Sequence, residues 1–141
     1  MKKPTLMSYK IAIVEDELPI QSMYRLKLER EGFEVAVASN GRTGLALLEH
    51  FQPDLVLLDL RMPEMSGDEL LARLRSTEWG ASMRVIVLTN ISKSEAPSAL
   101  RFLSVDRYVV KAHYTPTQVV ELVKEVLSIG ARAKPEAEPS Q

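Results

Sequence analysis

Short apolar runs alternate with helix-period stretches five times along this 141-residue chain, and this alternation restricts its fold more than any other feature. The runs lie at residues 10–14, 34–38, 55–58, 85–88 and 108–110. Four of them are nearly continuous in Val, Ile, Leu or Tyr, which is typical of parallel strands that are covered on both faces. The second run is less apolar, and we expect it to form an edge strand.

Between the runs, apolar residues recur at i, i+3, i+4 and i+7, the spacing that lines one face of a helix. The first helix is predicted over residues 19–31 and is ended by Gly32. Pro97 falls in the first turn of the fourth predicted helix, and Thr115 and Pro116 begin the fifth as N-cap and first helical residue. The quartets that define the other four helices are Gly44, Leu47, Leu48 and Phe51; Gly67, Leu70, Leu71 and Leu74; Ala96, Ala99, Leu100 and Leu103; and Val119, Leu122, Val123 and Val126. The sequence therefore predicts five βα units, an α/β fold with a five-stranded parallel sheet and helices on both faces.

The chain length predicts one compact domain, which we expect to span residues 9–129. Residues 1–8 are expected to form an N-terminal tail, and residues 130–141 a disordered tail or linker, because their composition cannot bury a core. The net charge of −1 gives no indication of a nucleic-acid or polyanion partner, and the absence of cysteine excludes disulfides and thiolate metal sites. No segment is predicted to cross a membrane or to direct secretion, so a cytoplasmic protein is expected.

Charged and hydroxyl side chains follow the predicted strands. Glu15 and Asp16 come directly after the first strand, Asp59 follows the third, Thr89 ends the fourth and Lys111 ends the fifth. The carboxyl ends of parallel strands meet at one edge of a sheet, where ligands bind in folds of this kind. We therefore expect these side chains to lie close together. Asp59 is the strongest candidate among them, because it directly follows a continuous apolar run.

Such a cluster of carboxylates requires a cation or a proton. Two carboxylates about 4 Å apart repel each other by roughly 4 kcal/mol at an effective dielectric constant near 20. With oxygen ligands alone, the cation that fits is hard and divalent, such as Mg²⁺. Lys111 adds an ammonium and Thr89 a hydroxyl that can bind phosphoryl oxygens. This edge of the sheet is therefore suited to accepting a phosphoryl group on a carboxylate.

Four segments, at residues 15–16, 57–67, 87–89 and 108–111, together resemble the receiver domain of response regulators in two-component phosphorelays, of the chemotaxis-regulator type. The resemblance extends over about residues 9–129 and implies a flavodoxin-like (βα)5 fold with strand order 2-1-3-4-5. It implies that Asp59 is phosphorylated by a sensor histidine kinase or a phosphotransfer protein. It also implies that Mg²⁺ is held by Asp16, Asp59 and the backbone carbonyl of Arg61, with Glu15 bound through water.

The resemblance further implies how the phosphoryl group is sensed. Thr89 would bond to it, Lys111 would pair with it, and Tyr108 would change rotamer on activation. The signal would pass to an output protein through the surface formed by helix 4, strand 5 and helix 5. No enzymatic activity is implied beyond self-catalysed transfer to Asp59 and hydrolysis from it.

Two positions depart from the family pattern. Receivers commonly have proline after the lysine, often through a cis bond, whereas Ala112 follows Lys111 here. A cis bond before a residue other than proline costs about 2.5–4 kcal/mol, so this loop is expected to be either trans or strained. The second departure is Asn90, where a small residue is usual, and its bulk would alter access to an acyl phosphate.

Two other functions are compatible with parts of this pattern. Phosphatases of the haloacid-dehalogenase kind resemble this arrangement at the nucleophile, but they require a second Asp two residues later, where this chain has Arg61. Alternatively, the chain is the receiver part of a longer DNA-binding regulator, with residues 131–141 at the start of a linker. Since the chain contains no helix-turn-helix pattern, it is not expected to bind nucleic acid itself. No membrane partner is expected either.

Overall fold

The computed structural model describes residues 9–132, so the predicted tail at 1–8 and residues 133–141 lie outside the described part. The strands are β1 (Lys10–Val14), β2 (Glu34–Ala38), β3 (Leu55–Leu58), β4 (Arg84–Thr89) and β5 (Arg107–Val110). The α-helices are α1 (Leu18–Arg30), α2 (Gly41–Phe51), α3 (Gly67–Arg75) and α4 (Pro116–Arg132). All strand pairs are parallel, in the order β2-β1-β3-β4-β5, which confirms the predicted fold and the edge position of β2.

Two apolar layers cover the two faces of the sheet. In β1, Ile11 and Ile13 pack in the layer formed with α1 and α4, whereas Ala12 and Val14 pack in the layer with α2 and α3. Both sets are buried, which explains why the central strands read as continuous apolar runs rather than as alternating ones. Within the described residues, no helix has the length and apolar character needed to cross a membrane.

The predicted ends of two helices agree with the structure. Gly32, with a φ of 101°, directly follows the cap of α1. Thr115 caps α4, because its Oγ1 accepts a hydrogen bond from the backbone N–H of Gln118, and the Gln118 side chain accepts one from the N–H of Thr115. The helix continues to Arg132, three residues past the domain boundary predicted at residue 129.

The prediction of a fourth α-helix, over the quartet from Ala96 to Leu103, is wrong. The segment contains two 3₁₀ turns instead, at Lys93–Glu95 and Ser98–Phe102. Pro97 lacks an N–H and disfavours a helical conformation in the residue before it, so the backbone at Ala96 is extended, with ψ at 148°. Ser104 is left-handed, with φ at 57°, and ends the second turn after five residues. An α-helix bonds each N–H to the carbonyl four residues earlier, so a segment of five residues forms almost no such bonds.

Arg75, at the end of α3, holds the β4–β5 connection, which we define as residues 90–106. Its guanidinium donates hydrogen bonds of 2.8 Å to the carbonyls of Leu103 and Ser104. It also donates to the carbonyls of Gly80 at 2.8 Å and Met83 at 2.7 Å. Hydrogen bonds from a charged donor are stronger than neutral ones. Arg75 therefore attaches the connection to the end of α3, although the connection has no α-helix of its own.

Candidate functional site

Asp59 lies one residue beyond the end of β3, at the centre of the sheet edge. It is buried, with 6% of its surface exposed, and its backbone N–H donates to the carbonyl of Val14 at 3.0 Å. A Cβ at Gly67 would lie 2.1 Å from the carbonyl oxygen of Asp59, so only glycine allows α3 to begin this close. The close approach fixes the loop that carries Asp59.

Three carboxylates meet at this edge, as the sequence predicted. Glu15, Asp16 and Asp59 each offer an oxygen, and these oxygens lie within 4.8 Å of one another. Glu15 is 3% exposed, and burial raises the pKa of its carboxyl group, although hydrogen bonds from Lys111 and from the Glu17 N–H act in the opposite direction. The two buried acids, Glu15 and Asp59, therefore concentrate negative charge where water screens it poorly.

Lys111 supplies the cation that offsets this charge. Its Nζ lies 2.8 Å from Glu15 Oε1 and 3.2 Å from Asp59 Oδ2, and Glu17 lies farther away at 3.8 Å. Burial alone would lower the pKa of Lys111, but the hydrogen bond to Glu15 and the charge of Asp59 outweigh it, and the pKa lies above its ordinary value. Lys111 is therefore held as an ammonium between the two buried acids.

The missing proline after Lys111 does not displace the lysine. Between residues 9 and 132 every peptide bond is trans, so the trans alternative for the Lys111–Ala112 bond is the one that occurs. The chain turns after β5 through a short 3₁₀ segment, Lys111–His113. Lys111 still reaches both acids from this turn.

Thr89 and Tyr108 connect the edge of the sheet to the β4–β5 connection. Thr89 is 1% exposed, and its Oγ1 accepts a 3.4 Å hydrogen bond from the N–H of Ile91. The hydroxyl of Tyr108 donates a 2.7 Å hydrogen bond to the carbonyl of Ile91. Burial raises the pKa of Tyr108, and the charge of Asp59 raises it further. Both side chains therefore bind the same residue of the connection.

A polar cleft of about 150 Å³ lies at this edge of the sheet. It is lined by Asp16, Glu17, Asp59, Arg61, Thr89, Asn90 and Lys111. The backbone N–H of Arg61 donates to Asp59 Oδ1 at 3.3 Å, so the main chain of Arg61 lies beside the Asp59 carboxylate. The carboxylates of Asp16 and Asp59 offer only oxygen ligands in this cleft, which fits a hard divalent cation such as Mg²⁺. Glu15 does not line the cleft, but it is paired with Lys111, which does.

The chain matches the model of the response regulator receiver domain over residues 11–126. The chain belongs to the response regulator receiver family. It is 40% identical over 129 residues to the phosphate regulon transcriptional regulatory protein PhoB of Rhizobium meliloti, covering 90% of this chain and 54% of that protein. It is 34% identical to an uncharacterized 14.6 kDa protein of Leptolyngbya boryana, covering 86% of this chain and 92% of that one.

The fold agrees with that of solved receivers. A CheY-like receiver domain protein from Methanospirillum hungatei aligns with a TM-score of 0.78 and 30% identity, over 88% of this chain and 97% of that one. Receivers are signalling modules that interact with histidine kinases and with output domains. This receiver spans about half the length of the PhoB proteins that it matches.

One polar residue of this receiver was not identified from the sequence. Gln21 is 6% exposed, and its side-chain amide donates to the carbonyl of Glu15. A signal for it was present, because Gln21 precedes Tyr24 and Leu28 by three and seven residues and so falls on the apolar stripe of α1. A polar residue in a core position requires hydrogen-bond partners, and it is therefore informative about the site.

Proposed function

We propose that this receiver is a phosphorylation-dependent switch that accepts one phosphoryl group on Asp59 from a sensor histidine kinase or a phosphotransfer protein. The observation that carries the proposal is the arrangement around Asp59. This carboxylate is buried at the end of a central strand, 3.2 Å from the Lys111 ammonium, in a cleft that also contains Asp16 and Thr89. A nucleophile, a cation and a hydroxyl donor thus share one small polar volume.

Each of these groups has a part in the transfer. An oxygen of Asp59 forms a bond to phosphorus while the bond between phosphorus and the nitrogen of the donor histidine breaks. The ammonium of Lys111 offsets the added charge, about −1.5 to −2, and the hydroxyl of Thr89 donates to a phosphoryl oxygen. Phosphoryl transfer depends mainly on such positioning and charge stabilisation, so no separate acid or base is needed.

The metal ligands that we propose are Asp16, Asp59 and the backbone carbonyl of Arg61, with Glu15 acting through water. When bound, Mg²⁺ would supply positive charge to the phosphoryl oxygens. Asp16 and Asp59 line the cleft, whereas Glu15 does not, and the oxygens of Glu15 are engaged by Lys111 and by the N–H of Glu17. By contrast, no hydrogen bond or ion pair from residues 9–132 engages the carboxylate of Asp16. This difference supports direct binding by Asp16.

The signal is proposed to leave through the surface formed by the 3₁₀ segment Ser98–Phe102, β5 and α4, which replaces the surface predicted with a fourth α-helix. Tyr108 belongs to β5 and is bonded to Ile91 in the connection, so a shift of Thr89 toward a phosphoryl group would disturb both. A groove of about 710 Å³ lies between the connection and β5, and Phe102 beside it is 82% exposed. These features supply a surface for an output partner.

The experiment that tests the proposal is phosphorylation by a small donor. Acetyl phosphate with Mg²⁺ is expected to add one phosphoryl group to the purified chain, detected by intact-mass measurement. The same mixture with EDTA is expected to give almost none, because the phosphoryl oxygens then lack their divalent cation. An equal yield with EDTA would contradict the role of the metal, and no adduct under either condition would contradict the proposed function.

A second prediction concerns the order of the two acids in metal binding. Asp16→Ala is expected to weaken Mg²⁺ binding more than Glu15→Ala, since of these two acids only Asp16 is proposed to touch the ion. Loss of an outer partner such as Glu15 typically reduces metal affinity about tenfold or more. Isothermal titration with Mg²⁺ measures both constants. The reverse order would overturn the assignment of direct and outer ligands.

The PhoB relatives are about twice as long as the region that this chain matches. PhoB of Rhizobium meliloti is named a transcriptional regulatory protein, and the matched region covers only 54% of it. We therefore retain the proposal that this receiver controls a DNA-binding output in a longer regulator, and the complete open reading frame would test it. The domain limits of 9–129 and a cytoplasmic location stay predictions.

A further inference from the structure

A buried amide lies under the metal-binding acids. Gln21 belongs to α1 and is 6% exposed, and α1 packs against the sheet through Tyr24 and Leu28. Burying an amide is unfavourable unless its polar atoms find partners. The position of the Gln21 side chain is therefore determined by the groups to which it donates.

The acceptors of Gln21 lie at the ends of two neighbouring strands. Its Nε2 lies 2.9 Å from the carbonyl oxygen of Glu15, 3.1 Å from that of Ala38 and 3.2 Å from Ser39 Oγ. Glu15 follows β1, whereas Ala38 ends β2. The two N–H bonds of one amide are thus shared among three acceptors. They join α1, β1 and β2 at the point where the chain leaves the sheet.

The carbonyl of Glu15 belongs to the peptide unit that leads into Asp16. A peptide unit is planar, so fixing the direction of this carbonyl also fixes the N–H and the Cα of Asp16, the atom from which its side chain leaves the backbone. Backbone hydrogen bonds hold the residues on either side, from the Glu15 N–H to the carbonyl of Ala38 and from the Gln21 N–H to the carbonyl of Glu17. Gln21 holds the unit between them.

We infer that Gln21 is a positioning residue for the metal site: its side-chain amide orients the Glu15–Asp16 peptide so that the Asp16 carboxylate faces Asp59. The inference rests on the proposed function, in which Asp16 binds Mg²⁺ directly. Gln21 touches neither the ion nor the phosphoryl group, and it acts through the backbone that carries Asp16. Removing a group that orients a metal ligand from outside the coordination sphere typically lowers metal affinity about 10–100-fold.

The test replaces Gln21 by methionine, which has a similar length and no donor. Gln21→Met is expected to raise the dissociation constant for Mg²⁺ about tenfold. The rate of phosphorylation by acetyl phosphate at saturating Mg²⁺ is expected to stay that of the unmodified chain. Leu28→Val is the matched control, because Leu28 is buried on the same helix but lies about two turns beyond Gln21. It should lower the thermal midpoint and leave the Mg²⁺ constant unchanged.

A metal-free measurement separates this inference from the proposed function. The N–H of Glu17 donates to Glu15 Oε2 at 3.0 Å, and its hydrogen exchange should become faster in Gln21→Met if the loop loosens. If the unmodified chain and Gln21→Met bind Mg²⁺ equally, the inference is overturned and the proposed function stands. If the unmodified chain binds no Mg²⁺, the metal proposal fails, and the exchange at Glu17 decides whether Gln21 holds the loop.

Discussion

Replacing Asp59 by asparagine is expected to abolish phosphorylation by acetyl phosphate. Asparagine has nearly the same shape, but its amide is a poor nucleophile toward phosphorus, and the variant also removes one negative charge from the proposed metal site. The ammonium of Lys111 keeps its 2.8 Å partner in Glu15, so we expect the fold to persist. Intact-mass measurement after incubation with acetyl phosphate and Mg²⁺ would show an adduct on the unmodified chain and none on Asp59→Asn.

Asp68→Asn is the matched control for this prediction. Asp68 lies in the first turn of α3, after the close approach of Gly67 to Asp59, and does not border the cleft. It should become phosphorylated as the unmodified chain does. An undiminished adduct on Asp59→Asn would show that the acceptor lies elsewhere and would remove the basis of the proposed switch.

The sequence was sufficient to predict the sheet because its signal is both local and redundant. Each central strand is apolar on both faces, and the helices between them carry their own caps, such as Thr115 before Pro116. The fourth helix failed for a local reason as well. The quartet from Ala96 to Leu103 has the correct spacing, but Pro97 and the left-handed Ser104 leave only a short segment between them. The spacing of apolar residues indicates which face of a helix would be apolar. It does not indicate whether the backbone can form the hydrogen bonds of that helix.

The cluster of site residues could be predicted for a similar reason, because parallel strands bring their ends to one edge. The distances could not. Whether Lys111 reaches Glu15 depends on the 3₁₀ turn that follows β5, and the absence of proline left that turn undetermined. The position of Gln21 on the apolar stripe of α1 indicated its burial but not its acceptors, and those of Gln21 and Arg75 include backbone carbonyls far away in the chain. No residue pattern encodes such partners, since every residue has a carbonyl.

Lys111→Ala is expected to retain phosphorylation on Asp59 while losing most of the response at the output surface. Without the ammonium, the phosphoryl group depends on Mg²⁺ and Thr89 for its opposing charge and donor. The turn Lys111–His113 follows β5, which carries Tyr108, so the pull of the phosphoryl group on this strand is lost. Nuclear magnetic resonance of Tyr108 and Ile91, at equal phosphoryl occupancy by intact mass, measures the response. Lys27→Ala on α1 is the control and should respond normally.

The same variant should also change the stability of the metal-free chain. Removing one partner of a buried ion pair typically costs about 3–5 kcal/mol, and here Glu15 and Asp59 would remain side by side without a cation.

Burial already raises the pKa of Glu15, and losing the hydrogen bond from Lys111 raises it further. A folded-state pKa above the unfolded value makes the folded state bind more protons, so its stability increases as the pH falls. The deficit relative to the unmodified chain should therefore be full at neutral pH and should shrink as the pH falls through the raised pKa of Glu15. Saturating Mg²⁺ should reduce it at neutral pH, because the ion stabilises both chains but should bind more tightly to the variant, in which no ammonium competes for Glu15 and Asp59. Denaturant unfolding at several pH values, with and without Mg²⁺, measures the deficit, and a deficit independent of both would show that Lys111 does not neutralise these acids.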